Sequence, residues 1–318
     1  MKAVVRDRYG KPEVLRVDDI DPPQLEEHHV LVRVRAVSLN LSDWECLVGS
    51  PLYSRIGGLR RPASRVLGSD IAGTVEAVGS AVTRFAVGDE VYGDNLGQMG
   101  GFAELARAPE KMLAHKPAGL TFVQASTLPQ AGAIAVQGTA LAAPGKRLLI
   151  NGGGGGSGAF AIQLAKEAGA HVVAVDNAAK LDFMRSLGAD EVIDYRTRNI
   201  TRDRGAYDLV LDLVAHRNPF AYRRMLARGG TYRCVGGTVR ALLGVATVGA
   251  LAAKMTGRSV GVLMVKTGPA HFGPLAERCA ADEVAIHVDR TFALDAVPDA
   301  LRYLGEGHAR GKVVVEIP

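Results

Sequence analysis

Arg147-Leu148-Leu149-Ile150-Asn151-Gly152-Gly153-Gly154-Gly155-Gly156-Ser157-Gly158 is the stretch on which the fold turns. Its opening residues form a short apolar run suited to a buried strand. Behind the glycines, Ala161, Leu164, Ala165 and Ala168 recur at i, i+3, i+4 and i+7. That is the stripe of a helix whose small side chains permit close packing on a sheet. Gly153, Gly155 and Gly158 satisfy G-x-G-x-x-G between strand and helix. In that setting the first glycine makes the tight turn and the second lets a diphosphate approach the backbone. The third lets the helix pack against the strand. The helix N-terminus, at Gly156 and Ser157, adds free N–H groups and positive potential. A flexible linker is the competing reading, but linkers do not sit between a buried strand and a buried helix.

Downstream, His171-Val172-Val173-Ala174-Val175 reads as the next strand and ends at Asp176, 18 residues after Gly158. A carboxylate there accepts hydrogen bonds from an adenosine ribose and repels a 2′-phosphate, which favours NAD(H). The other reading is a cap for the helix beginning near Ala178. Lys180 to Leu187 reads as a helix. Glu191-Val192-Ile193, Leu209-Val210-Leu211, Thr231 to Val235 and Val260 to Val265 read as further strands. Six apolar strands linked largely by helices predict an α/β unit with a parallel, doubly wound sheet covered on both faces.

Upstream the rhythm differs. Val30, Val32 and Val34 alternate with Arg33 and Arg35, the period of a half-buried strand. Glycines between β-branched residues from Gly73 to Gly93 suit a bent antiparallel barrel. The chain closes on Lys312-Val313-Val314-Val315, a strand expected to rejoin this N-terminal domain. The expected division is therefore residues 1–120 with 268–318, and residues 121–267.

Composition narrows the function. The 318 residues are 47% hydrophobic and 22% charged, which excludes disorder. The net charge of +5 is spread over scattered basic residues, so no nucleic-acid arm is expected. Cys46, Cys234 and Cys279 lie too far apart and too few for a disulfide framework, which favours a reducing, cytoplasmic setting. The opening MKAVVRDRYG lacks the apolar segment of an export signal. The uncharged run from Ala241 to Ala253 is shorter than the roughly 20 residues a membrane span needs. A small-molecule ligand is expected, with neither nucleic acid nor membrane.

Further motifs carry a family likeness. They are Ser38-Leu39-Asn40-Leu41-Ser42-Asp43-Trp44, Leu67-Gly68-Ser69-Asp70-Ile71-Ala72-Gly73-Thr74-Val75, Val87-Gly88-Asp89-Glu90-Val91 and Gly101-Phe102-Ala103-Glu104. Ser186-Leu187-Gly188-Ala189-Asp190 and Gly307-His308-Ala309-Arg310-Gly311-Lys312-Val313 continue the series. With the glycine stretch, they make the chain resemble, over essentially its whole length, the zinc-independent quinone oxidoreductase branch of the medium-chain dehydrogenase/reductase superfamily. The resemblance implies a GroES-like β-barrel catalytic domain, a Rossmann cofactor-binding domain and a cleft between them. It implies hydride transfer from NADPH to a quinone or an α,β-unsaturated carbonyl.

Residue by residue, the resemblance places Asn40 near the nicotinamide and its ribose, and Gly236-Gly237 on the loop passing the nicotinamide. Lys180 and Tyr195 fall where NADPH-using relatives contact the 2′-phosphate, and Lys312 belongs to a tail motif expected with a competent cofactor site. Asp176 replaces a small residue and opposes Lys180, so NADPH or NADH stays open. Ile134 stands where relatives carry a threonine, and Ser157 where a valine is common. Zinc-dependent relatives use Cys and His ligands. Here the matching stretches carry Asn40, Asp43, Ser69 and Asp70, and no zinc is expected.

Reduction of an enone puts negative charge on the carbonyl oxygen, which a hydrogen-bond donor would stabilise. Tyr53 is the candidate, with solvent as the alternative proton source and a non-catalytic loop aromatic as the bland reading. Asp43 is expected to orient its loop, and its mixed surroundings give no case for a raised pKa. The apolar insert at 239–258 reads either as a helix packed on the core or a partner subunit, or as a cap selecting bulky substrates. Val260 to Val265 could pair two copies into a homodimer. The rival functions are a nucleotide-binding protein without redox turnover and a zinc-free alcohol or aldehyde oxidoreductase.

Overall fold

The alternating valines do form a strand. After an antiparallel ribbon of β1 (Lys2–Val5) and β2 (Arg16–Asp19), β3 (His29–Ser38) buries Val30, Val32 and Val34 and exposes Arg33 and Arg35. The structure is a computed structural model that describes residues 1–217, 219–249, 251 and 255–318. It divides into two compact units, residues 1–133 with 267–318, and residues 134–266.

In the first unit β3 lies antiparallel to β4 (Asp70–Val78), which continues to β5 (Glu90–Asp94). The first half of β3 also pairs with β6 (Leu105–Pro109), and β7 (Leu113–His115) extends the sheet from β5. One ten-residue strand thus serves three neighbours, because the C-terminal strand described below takes its far end. Such sharing requires a strongly bent sheet, as the glycine spacing predicts.

Helix α1 (Leu41–Val48) follows β3 directly. Helix α2 (Phe122–Ser126) packs on β3, β4 and β5, which places residues 121–133 with the first unit, not with the second as expected. The reason is a short amphipathic turn, capped by Thr121 and Gln124, that buries Ala125 and Ser126 on the barrel. Helix α3 (Pro129–Gly138) then carries the chain into the second unit.

That unit contains β8 (Arg147–Asn151), α4 (Gly156–Glu167), β9 (His171–Asp176), α5 (Leu181–Ser186) and β10 (Glu191–Asp194). It continues with β11 (Tyr207–Asp212), α6 (Pro219–Met225), β12 (Leu226–Cys234), α7 (Val239–Gly244) and β13 (Ser259–Val262). The sheet order is β10-β9-β8-β11-β12-β13, with every pairing parallel. Counted within the unit this is 3-2-1-4-5-6, the doubly wound dinucleotide-binding order. Its direction reverses between β8 and β11, which places the glycine run at the switch point.

The apolar insert begins as α7 and a π-helical turn, Val245–Gly249. Ala241 and Val245 are buried and Leu242 packs on the core of this unit, whereas Leu243, Leu251 and Met255 face solvent. Residues 250 and 252–254 of the insert lie outside the described residues. No described helix is long and apolar enough to cross a membrane.

The chain then returns to the first unit, where β14 (Val288–Ala293) runs parallel to β15 (Lys312–Glu316). β15 pairs with residues Ala36–Ser38 of β3. The terminal strand therefore rejoins the N-terminal unit as expected, and it brings Lys312 beside the end of β3.

Candidate functional site

At the switch point of the second unit, the N–H groups of Gly152 and Gly153 both donate to the Val175 carbonyl, folding the loop over the end of β9. Gly155 caps α4 without a side-chain bond. The first-turn amides of Gly156 and Ser157 face outward without an acceptor among the described residues, as helix geometry dictates. Gly158 is where the fit is decided: a Cβ there would stand 2.3 Å from the Gly152 carbonyl oxygen and 2.6 Å from Gly153 Cα. Only glycine lets the helix start this close to the loop. Gly155 has nothing nearer than 3.6 Å, so the backbone is open where a diphosphate would approach. These residues fit a dinucleotide.

Asp176, Lys180 and Tyr195 are brought together at the ends of β9 and β10. The Asp176 carboxylate accepts from the Gly154 amide at 3.1 Å and the Asn177 amide at 2.8 Å, and lies 3.6 Å from the Lys180 ammonium. Both side chains are nearly buried. Asp176 therefore ties β9 to the glycine loop and neutralises Lys180. The cap of the next turn is Asn177, whose Oδ1 accepts from Ala179 N–H. Tyr195 donates its amide to the Asp176 carbonyl, and its ring is exposed. Gly236 and Gly237 follow β12 with φ of +71° and +125°. A Cβ on Gly237 would meet the Ala215 carbonyl oxygen at 2.2 Å, so the turn requires glycine. Ile134 is half-buried on α3.

Beneath this corner lies a network that sequence reasoning missed. Asp212, buried at the end of β11, accepts from Asn151 Nδ2 at 2.8 Å and from the Tyr232 hydroxyl at 2.8 Å. It locks the ends of β8, β11 and β12 at the switch point. Tyr232 in turn stacks on Tyr222 with ring centroids 4.3 Å apart. An aspartate closing the apolar run Leu209-Val210-Leu211 was the available signal.

The first unit holds a second cluster, built on Asn40. Lys312 Nζ donates to the Asn40 Oδ1 at 2.7 Å and to the Leu39 carbonyl at 3.0 Å. Because an ammonium can only donate, this contact fixes which way the Asn40 amide faces. Asn40 Nδ2 then donates to Ser69 Oγ at 3.2 Å, and Ser69 donates to Asp43 at 3.0 Å. Asp43 also accepts the amides of Asn40 and Gly68, completing a capping box at the start of α1. Asp70 accepts the backbone and side-chain N–H groups of Gln130, whose Oε1 accepts from Ser42.

Asp43 does orient its loop, but its pKa expectation needs correction. The side chain is completely buried, and that burial pushes its carboxyl up to about 7 despite three hydrogen bonds. The local sequence mixes polar and apolar residues, and only the barrel closing over it removes the water. Burial raises Asp70 as well, and Asp94 is pushed to about 7 by burial and by Asp70. Lys312 is lowered by the same burial, opposed by Asp70 and Asp43. One buried ammonium faces the two buried carboxyl groups of Asp43 and Asp70, with Asp94 beside Asp70, so part of the cluster keeps its protons up to neutral pH.

A raised carboxyl pKa makes a stabilising contribution that is complete below the unfolded value of about 4 and is lost as pH rises through about 7. Asp94→Asn should therefore flatten the loss of stability between about pH 5 and pH 8 relative to the parent chain. Urea denaturation at the two pH values checks this, and parallel losses in both proteins would contradict it.

Tyr53 lies in a 3-10 turn, Leu52–Arg55, after α1. Its hydroxyl donates to Glu45 of α1, with oxygens at 3.0 and 3.1 Å. Glu45 is itself raised by burial. Sequence reasoning singled out Tyr53 but missed Glu45, one turn of helix beyond Leu41. Leu52, Ile56 and Leu59 of this loop are exposed. Among the described residues, no group of three or more His, Cys, Asp or Glu could hold a metal ion.

A doubly wound sheet with an open glycine corner, accompanied by a bent antiparallel unit carrying a buried polar cluster, defines a two-domain nicotinamide-dependent dehydrogenase fold. Residues 26–118 match the alcohol dehydrogenase GroES-like domain family, and residues 187–315 match a family described as zinc-binding dehydrogenase. The chain is 35% identical to the NADPH-dependent alkenal/one oxidoreductase of Arabidopsis thaliana, over 99% of this chain and 79% of that protein. It is 33% identical to the 2-methylene-furan-3-one reductase of Solanum lycopersicum, with the same shares covered. The quinone oxidoreductase structure from Coxiella burnetii superposes with a TM-score of 0.87 at 29% identity, covering 100% of this chain and 99% of that one. The chain belongs to the quinone oxidoreductase-like branch of the medium-chain dehydrogenase/reductase superfamily.

Proposed function

We propose that the protein is an NAD(P)H-dependent oxidoreductase that transfers hydride to a quinone or an α,β-unsaturated carbonyl. The observation that carries the reading is the open N-terminus of α4 behind Gly155, in a chain of this branch. A bound reduced nicotinamide supplies the hydride. The amides of Gly156 and Ser157 bind the diphosphate, Gly153, Gly155 and Gly158 shape the loop that lets it approach, and Gly236 and Gly237 give the nicotinamide passage. Asn40, aimed by Lys312 and Ser69, orients the ring or its ribose; Lys312 is buried and acts through Asn40.

Tyr53, held in position by Glu45, turns its hydroxyl to the developing oxyanion and delivers its proton, and solvent water returns a proton to the phenolate. Consumption of NADPH with panels of enones, quinones and saturated carbonyls tests the assignment. Binding without oxidation in every panel would favour a non-redox nucleotide-binding protein, and turnover of saturated carbonyls alone would favour an alcohol or aldehyde oxidoreductase. Tyr53→Phe should lower kcat for enones by at least about tenfold while leaving the Kd for NADPH unchanged. An unchanged kcat would make solvent the proton source.

The chemistry proceeds without zinc in this reading, since the residues around Asn40 are carboxyl, hydroxyl, amide and ammonium groups with no thiolate or imidazole among them. For cofactor choice, the Asp176–Lys180 pair decides. Asp176→Ser frees the ammonium and removes the opposing charge, so the ratio of NADPH to NADH affinity should rise about tenfold. Fluorescence titration with both cofactors reads this, and an unchanged ratio would contradict the assigned role. The three cysteines are unpaired thiols, in keeping with a reducing cytoplasm. β13 is an edge strand of its sheet, open to pairing with a second copy into a homodimer.

A further inference from the structure

The edge of the second unit opposite the glycine corner carries chemistry that hydride transfer does not use. At the N-terminal ends of β11 to β13, Arg204, Gly205, Arg223, Arg224 and Arg258 line a basin of about 420 Å³. The six residues of β11 separate it from the switch point by about 20 Å. Four guanidinium groups from three chain segments share this concavity, and among the described residues no carboxylate lines it.

The nearest acidic residues in sequence are already committed. Asp203 accepts from Arg198 at 2.9 Å and from the Tyr207 hydroxyl at 2.7 Å. Asp208 accepts from Lys146 and from the Arg147 amide. The side chains of Arg204, Arg223 and Arg224 have no hydrogen-bond or ion-pair partner among the described residues. Arg258 is held in place by its Nε, which donates to the carbonyls of Leu226 and Ala227, leaving its two terminal nitrogens for the basin. The surrounding unit has 18 Lys and Arg against 9 Asp and Glu, so the local field reinforces the cluster.

We propose that this basin binds a compact polyanion carrying two or more phosphate groups, at a site separate from the cofactor corner. Guanidinium forks match phosphate oxygens in paired hydrogen bonds, and several converging forks select clustered over single negative charges. The volume suits a small molecule. Among the described residues its lining has no aromatic or aliphatic side chain to receive a nucleobase or an acyl chain, so the recognised part is the phosphate cluster itself.

Calorimetric titration with tripolyphosphate, in the presence of saturating NADPH, tests this. The wild-type chain should bind at one site, and Arg223→Gln/Arg224→Gln should bind at least about tenfold more weakly with its NADPH affinity unchanged. Arg204→Gln, on an exposed loop, gives the second variant should the double one fold poorly, and weaker tripolyphosphate binding is again expected. Equal affinity in wild type and variants, or no binding by the wild type, would overturn the proposal. So would binding that vanishes on saturation with NADPH, which would place the anion at the glycine corner, or sulfate binding as tightly as tripolyphosphate. Because NADPH affinity is read in the same samples, this site can fail while the reductase assignment stands.

Discussion

Gly158→Ala is expected to weaken NADPH binding about a hundredfold. The added Cβ would sit 2.3 Å from the Gly152 carbonyl oxygen and 2.6 Å from Gly153 Cα, and both are backbone atoms that cannot rotate aside. Loop and helix must separate, at a cost of about 1–3 kcal/mol in stability. The separation also displaces the amides of Gly156 and Ser157, on whose placement diphosphate recognition depends. Gly273→Ala supplies the comparison, because that glycine lies within a helix of the first unit and has nothing within 4 Å of its Cβ position. It should leave binding unchanged and stabilise slightly. Fluorescence titration and thermal unfolding of both variants check the argument. Equal affinities would mean that the corner does not hold the diphosphate.

Lys312→Met is the second large effect. The ammonium is the cation facing Asp43 and Asp70 inside the barrel, and both carboxyl groups are wholly buried. Removing it leaves them uncompensated, at a cost of about 3–5 kcal/mol. The sign with pH follows from the carboxyl groups. Without the ammonium their folded pKa values rise further, so the deficit should be largest at alkaline pH and shrink as acid protonates them. Urea denaturation at about pH 5 and pH 8 measures this. Catalysis should suffer as well, because Asn40 loses the donor that fixes its amide. A fall in kcat of about tenfold or more is expected, larger than any change in NADPH affinity. A variant as stable as the parent at alkaline pH would remove Lys312 from the charge balance of the cluster.

The parallel sheet was legible because its strands are apolar on both faces and its glycine run has only one good neighbour on each side. The alternation of Val30, Val32 and Val34 marked β3 for the same kind of reason: a period that burial on one face imposes. What stayed hidden depends on contacts distant in sequence. Asp43 looks solvated among Ser42, Trp44 and Glu45, and its burial follows from the packing of α1, β4 and β15 around it. Lys312 could be tied to cofactor binding only through a resemblance, while its bond to Asn40 crosses 272 residues. Asp212 was marked only by its place at the end of an apolar run, and its partners Asn151 and Tyr232 stayed hidden because they reach it from two other strands. The boundary near residue 133 was missed because α2 is a single capped turn, too short for periodicity to reveal which core it joins.

The most direct test is a single turnover with NADPH carrying deuterium at C4 of the nicotinamide and a simple enone, read by mass spectrometry of the product. The label should appear on the β-carbon of a saturated ketone, from one face of the nicotinamide only, and the yield should collapse in Gly158→Ala. Cofactor that binds yet never gives up its label, across enones and quinones alike, would contradict the assignment of this chain as a reductase.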